Sequence, residues 1–339
     1  MRRIVFFIAS VVVSAVFLWL ALRDVPVDEV LASLREANFF WILVALLCGT
    51  IGLWTRGLRW RGLLNNRIQP VSSFYMLSIA MLLNQLPFRA GEVARSALAA
   101  RSGVPFFTAA TSILVERLLD TLLVVIVLGA TLTQIPDAPP TITQAAGLFG
   151  VAGVVAVGVL LVFARRPQWA RGLLAFFERI LPFLKRLPLH NLLEHILDGI
   201  QPLANLRSAI QAIVLTVISW AFSFGTFYAL ALSMGIESGS IFVMTLLSVT
   251  MASFAIALPV SVAAIGPFEG AVRLSGQAVG VNAALSLSLG FLFHGVTILT
   301  YAIWGTIGLI VLGVSLGDVL KSNNQAAEPS HPEVQAVVK

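Results

Sequence analysis

From Ala283 to Leu316 the chain runs for 34 residues without one formal charge. A helix on the surface of a soluble domain carries a polar face along its whole length, so a run of this kind must meet lipid or other apolar helices on every side. The rest of the sequence repeats the pattern. Charged residues make up 11% of the 339 positions and hydrophobic ones 58%, whereas an ordinary soluble domain is roughly 25% charged. Each crossing of a bilayer takes about 20 apolar residues, so the length fits about eight hydrophobic segments and leaves little for a large soluble domain. The fold class predicted is all-α: a polytopic integral membrane bundle.

The net charge is +6. Its Arg residues lie beside apolar runs instead of forming a basic domain, which excludes nucleic acid as a partner and points to membrane orientation. A single cysteine, Cys48, sits in an apolar run, so no internal disulfide and no cysteine-based metal site is expected.

The apolar runs are Ile4 to Leu22, Phe39 to Trp54, Val71 to Phe88, Leu118 to Thr133, Ala145 to Phe163, Ile210 to Leu232, Ile241 to Leu258 and the stretch after Ala283. The first reads as an anchor, because it is longer than a signal-peptide core and no small-residue cleavage site precedes Arg23. The loop after it sums to minus two, whereas Arg56, Arg59, Arg61 and Arg67 after the second run sum to plus four. The N-terminus is therefore expected on the cytoplasmic side of the membrane. Residues 165–207 carry seven basic and three acidic residues among large apolar ones, and read as a cytoplasmic connector with interfacial helices. They divide a membrane domain over 1–320 into halves at about 1–164 and 208–318. The last apolar stretch could be one crossing or two, since His294-Gly295 could break it. Residues 321–339 are polar and read as a disordered tail.

Ionisable groups inside these runs are the informative feature, because each costs roughly 3 kcal/mol at a helix centre unless paired or wet. The first cluster is Asn84-Gln85-Leu86-Pro87-Phe88-Arg89-Ala90-Gly91-Glu92-Val93-Ala94-Arg95. Pro87 and Gly91 break a helix here, and Glu92 can pair with Arg95 one turn on. The segment reads either as a cytoplasmic loop or as a broken helix lining a cavity, with Arg89 and Arg95 meeting a phosphate. The second cluster, Glu116-Arg117-Leu118-Leu119-Asp120, places two carboxylates on one face. They either sit at the positive end of a helix that opens here, or neutralise the Arg residues of the first cluster. The third runs from Leu258-Pro259 through Gly266-Pro267-Phe268-Glu269-Gly270 to Arg273, a break at membrane depth. Leu86-Pro87 before Gly91-Glu92 and Arg95, and Leu258-Pro259 before Glu269-Gly270 and Arg273, form one pattern used twice about 170 residues apart. Broken segments at matching positions of two halves point to a transporter-like site. Arg56-Gly57-Leu58-Arg59-Trp60-Arg61 reads first as a membrane-edge anchor and second as a headgroup contact. His294 reads as a helix-packing group ahead of a proton relay.

Arg56-Gly57-Leu58-Arg59-Trp60, followed by Asn84 to Arg95 and by Glu116 to Asp120, resembles the lysylphosphatidylglycerol synthase transmembrane region, the flippase-like membrane domain of the multiple peptide resistance factor. The resemblance spans about Arg3 to Leu316. Gly266-Pro267-Phe268-Glu269-Gly270 is similar to the family's Gly-Gly-Leu-Gly-x-x-Glu signature, with Ala264 and Pro267 where glycines are expected. In two-part relatives the membrane domain moves an aminoacylated lipid between leaflets and precedes a cytosolic aminoacyl-transferase domain. Here 19 residues follow Leu320, so lysyl transfer is not expected. The resemblance implies lipid handling, without naming the lipid, in the inner membrane of a prokaryote; the candidates for binding a phosphate headgroup are Arg59, Asn84, Pro87, Arg89, Gly91, Glu92, Arg95, Glu116, Arg117, Asp120, Gly266, Glu269 and Arg273. Three functions stay open: a lipid translocase; a non-catalytic partner that presents lipid to a separate lipid- or glycan-modifying transferase; and an intramembrane enzyme using Glu92, Glu116 or Glu269 as acid or base. No nucleotide or metal motif is visible, and no cofactor is expected.

Overall fold

The computed structural model describes residues 2–23, 25–86, 90–134, 140–181, 183, 188–236, 238–257 and 262–315. All eight apolar runs form helices: α1 (Arg2–Leu22), α3 (Phe39–Leu63), α4 (Pro70–Leu83), α6 (Phe106–Leu132), α7 (Pro140–Arg165), α10 (Leu206–Ser233), α11 (Ser238–Ala257) and α13 (Ala283–Val311). Shorter helices join them: α2 (Val27–Arg35), α5 (Gly91–Arg101), α8 (Pro167–Ile180), α9 (Leu189–Ile200) and α12 (Pro267–Ala278). The chain is a helical, multi-pass membrane protein, and α3, α10 and α13 are each long and apolar enough to cross a bilayer. All three start at an asparagine, Asn38, Asn205 and Asn282, whose side chain accepts a backbone N–H of the first turn. Such a cap satisfies a donor that the helix cannot satisfy itself.

Three helices differ from their sequence reading. α3 continues nine residues past Trp54, so Arg56 and Arg59 lie inside a packed span and not in a loop. α6 begins at Phe106, not near Leu118, which puts Glu116 and Asp120 in mid-helix, away from the positive end of the dipole. α13 is a single unbroken helix of 29 residues. Gly295 does not interrupt it. Its Gly290 meets α12, where a Cβ would lie 3.2 Å from Glu269 Cα, and its Gly308 meets α4, where a Cβ would lie 3.1 Å from Tyr75 O. Small residues let apolar helices approach closely, the main source of attraction between helices in lipid.

The order of packing reveals an inverted repeat. α3 lies antiparallel along α10: Asn38 N bonds Ser233 O at 2.8 Å at one end, and Arg59 bonds Thr216 near the other. α4 and α5 form a hairpin that enters from the face where α3 ends. Ala94, Leu98 and Ala99 of α5 pack back against Met76 and Ile79 of α4 and against Leu64 and Ile68. α11 and α12 form the equivalent hairpin from the opposite face, with Ser275 of α12 returning to Met251 of α11. α4 packs on α13, and α11 on α6. Exchanging α3–α6 for α10–α13 therefore preserves the neighbours of each helix, as a two-fold axis in the membrane plane requires. α7 is bent from α8 by 104°. Trp169, Leu173, Phe176, Phe177 and Ile180 of α8 recur at helical spacing and stand exposed, the arrangement of a helix lying in an interface.

Candidate functional site

The two hairpins turn toward each other in the middle of the bundle and bound a cavity of about 640 Å³, within the range of small-molecule sites. The first hairpin contributes Asn84, Gln85 and Glu92, and the second Ala263, Ala264 and Phe268. Each turn is built differently. Asn84 Oδ1 accepts Gly91 N at 3.0 Å, closing the loop between α4 and α5. Gly91 is required there, since a Cβ would fall inside Ala80 O and 2.6 Å from Asn84 Oδ1. In the second turn Ala263, Ala264 and Gly266 all have positive φ, at 50°, 61° and 94°. Gly266 also sits against α1, where a Cβ would lie 2.7 Å from Leu18 N. Ala264, the position where a glycine is expected, thus holds a left-handed backbone at a cost of about 1 kcal/mol.

Beside the cavity lies a buried four-charge network. Asp120 accepts Arg59 through both oxygens, at 2.6 and 3.0 Å, and also Trp220 Nε1 at 2.9 Å. Glu116 accepts Arg59 Nε at 3.4 Å and Arg95 Nη2. Arg95 in turn lies over the Trp60 ring, 4.2 Å from its centroid. Two cations and two carboxylates cancel, which is what makes their burial tolerable. Arg95 therefore pairs across to α6, and not with Glu92 on its own helix. Glu92 pairs instead with Arg117 at 2.9 Å, both about half exposed.

Of the sequence-predicted residues, Asn84, Glu92, Arg117 and Asp120 line the cavity. Arg59, Arg95 and Glu116 form its buried support, and Gly91, Gly266 and Glu269 shape the two turns. Arg273 faces elsewhere: its Nη1 donates to Ala21 O at 2.8 Å and Arg23 O at 2.9 Å, capping the end of α1. Pro87, Arg89 and Pro259 lie outside the described residues. Glu269, 2% exposed, accepts Gly266 N at 2.7 Å with one oxygen and lies 2.6 Å from His294 Nδ1 with the other.

Arg56 and His294 are the cavity residues that sequence reasoning underweighted. Arg56 lines the cavity, donates Nη2 to Ser223 Oγ at 2.9 Å and sits 5.7 Å from the Trp220 ring centroid. Among the described residues it has no carboxylate within ion-pair distance, and its buried Nε has no hydrogen-bond partner. The available signal was its spacing: Arg56 and Arg59 stand three apart and so share a helical face. The charges that follow Trp54 mask this spacing, because they read as the end of the apolar run.

A family model described as Lysylphosphatidylglycerol synthase TM region matches residues 7–305. No curated protein and no solved structure matches the chain.

Proposed function

The chain belongs to the lysylphosphatidylglycerol synthase transmembrane region family, and from that premise we propose that its cavity receives the phosphate-bearing headgroup of a membrane lipid and passes it between leaflets. The observation that carries this reading is Arg56. It is a half-buried guanidinium on a wall of the cavity that, among the described residues, hydrogen-bonds a serine hydroxyl and has no carboxylate within ion-pair distance, while Arg59 and Arg95 are held in close ion pairs. Such a guanidinium keeps donors available for an anion arriving in the cavity. Arg117 adds a second cation held by Glu92, with Trp220 and Ser223 completing the wall. The inverted repeat supports movement as well as binding. Two hairpins entering from opposite faces give the headgroup equivalent walls on both sides, so rocking one half against the other exposes the same site to each leaflet in turn.

The test is exchange of fluorescent phosphatidylglycerol in vesicles carrying the purified protein. Hydrogen bonds to a charged group contribute about 1.5–3 kcal/mol, so Arg56→Gln is expected to slow exchange roughly 10- to 100-fold while the protein remains folded. Exchange no faster than in empty vesicles overturns translocation and leaves lipid presentation to a partner enzyme. Equal exchange in Arg56→Gln removes that residue from the site.

A further inference from the structure

We infer that Glu269 and His294 form a proton-binding site whose occupancy is coupled to the anionic headgroup in the cavity. The inference rests on the headgroup reading above and names what would set its pH dependence.

The geometry places the pair between the cavity and the second hairpin turn. Gly290 brings α13 against the backbone of Glu269, and one turn later His294 reaches across to the carboxylate. The imidazole stacks on Phe268, 4.4 Å between centroids, and both rings line the cavity beside Ala263 and Ala264. The second carboxylate oxygen holds Gly266 N, so the same side chain fixes the strained turn. The pair is therefore buried, yet it faces the site of the ligand and the element that would move.

Burial makes the protonation state consequential. With the imidazole protonated, imidazolium and carboxylate cancel. When Nε2 releases its proton to the cavity, Nδ1–H stays on the carboxylate and a net negative charge remains. Such a charge is costly in the interior and repels an anion in the same cavity. Few other groups blur this balance. α11 carries no ionisable residue, and α1 meets α12 through Phe17, Leu18 and the carbonyls capped by Arg273. α13 also packs on α2, which with its cap carries Asp28, Glu29, Arg35 and Glu36, and on α3, α4 and α10, which bring Cys48, Arg56, Arg59, Arg61, Tyr75, Arg207 and Tyr228. The remaining ionisable groups on the cavity wall are Glu92, Arg117, Asp120 and Tyr301. By linkage, a proton that favours the anion is itself favoured by the anion to the same degree.

Two experiments decide it. In the vesicle assay, exchange of phosphatidylglycerol by the unaltered protein is expected to be about tenfold faster at pH 5.5 than at pH 8, a coupling within the usual range. His294→Gln leaves the carboxylate uncompensated and is expected to be slow and flat with pH. Glu269→Gln combined with His294→Gln removes both charges and is expected to exchange faster than His294→Gln alone, again without pH dependence. Exchange that is present but independent of pH in the unaltered protein overturns the proton site and leaves translocation standing. If no exchange occurs at either pH, the function reading falls, and titration settles the proton site separately. The protein with 15N-labelled histidine, one of only four in the chain, is titrated in an uncharged detergent with and without short-chain phosphatidylglycerol. Adding the lipid is expected to move the His294 ring 15N signals toward those of an imidazolium while the signals of His190 and His195 stay in place, and the effect to vanish in Arg56→Gln. His294 signals that respond no more than theirs overturn the inference.

Discussion

Removing the charge of Glu116 while keeping its shape, as Glu116→Gln, strikes the centre of the buried network. Its two oxygens hold two different arginines, Arg59 on α3 and Arg95 on α5, and all three side chains are at most 4% exposed. Arg59 retains both oxygens of Asp120. Arg95 loses its carboxylate and keeps the Trp60 ring, a contact that contributes about 2 kcal/mol when desolvated. The network passes from neutral to a net charge of plus one. Breaking a buried pair from one side costs about 3–5 kcal/mol, and the glutamine carbonyl can return one hydrogen bond of about 1 kcal/mol. The expected destabilisation is about 3 kcal/mol. Unfolding in mixed micelles with rising dodecyl sulfate, followed by tryptophan fluorescence, measures it, since Trp60 and Trp220 both touch the network. Arg95→Leu with Glu116→Leu removes charge from both sides and is expected to be milder than Glu116→Gln alone. A loss below about 1 kcal/mol for Glu116→Gln, or a double variant as unstable as the sum of its parts, would refute the argument.

Gly91→Ala is expected to open the first hairpin and prevent recovery of folded protein, because its methyl group meets the Ala80 carbonyl and Asn84; normal yield and stability would contradict the close approach of α5 to α4 at this position. Ala264→Gly is expected to raise stability by about 1 kcal/mol by relieving a left-handed backbone, and a loss of stability in the same unfolding assay would contradict it. Between α8 and α9, the Arg171 guanidinium hydrogen-bonds Glu194 and holds its carboxyl below the ordinary value. A carboxylate depressed by folding contributes at and above its unfolded pKa and ceases to contribute as pH falls through the lower folded value. Hydrogen exchange in α8 and α9 should accordingly rise only on the acid side of the ordinary glutamate range, and Glu194→Gln should remove the rise.

Membrane residence and the positions of the helices were legible because lipid imposes a one-dimensional rule: every backbone group must be satisfied within an apolar run of sufficient length. Residues 118–133 and 283–316 read as apolar helix from composition alone, although not where the first begins or how often the second crosses, and the repeated pattern of Pro, then Gly and Glu, then Arg pointed to two broken segments. Where a helix ends was less legible. α3 carries Arg56 and Arg59 because Asp120, Glu116 and Thr216 wait for Arg59 on α6 and α10, and no local rule counts partners 57 to 157 residues away. The same holds for Arg95 and Arg273, whose spacings from Glu92 and Glu269 look alike. One stacks on Trp60 and joins α6, whereas the other caps α1. The sequence by itself determined that this chain lives in a membrane, as paired halves with charges at their breaks, because burial without water leaves few choices. The tertiary structure decided which charges cancel and that Arg56 faces the cavity outside ion-pair distance of any described carboxylate, because charge pairing is set by distance in space and not by position along the chain.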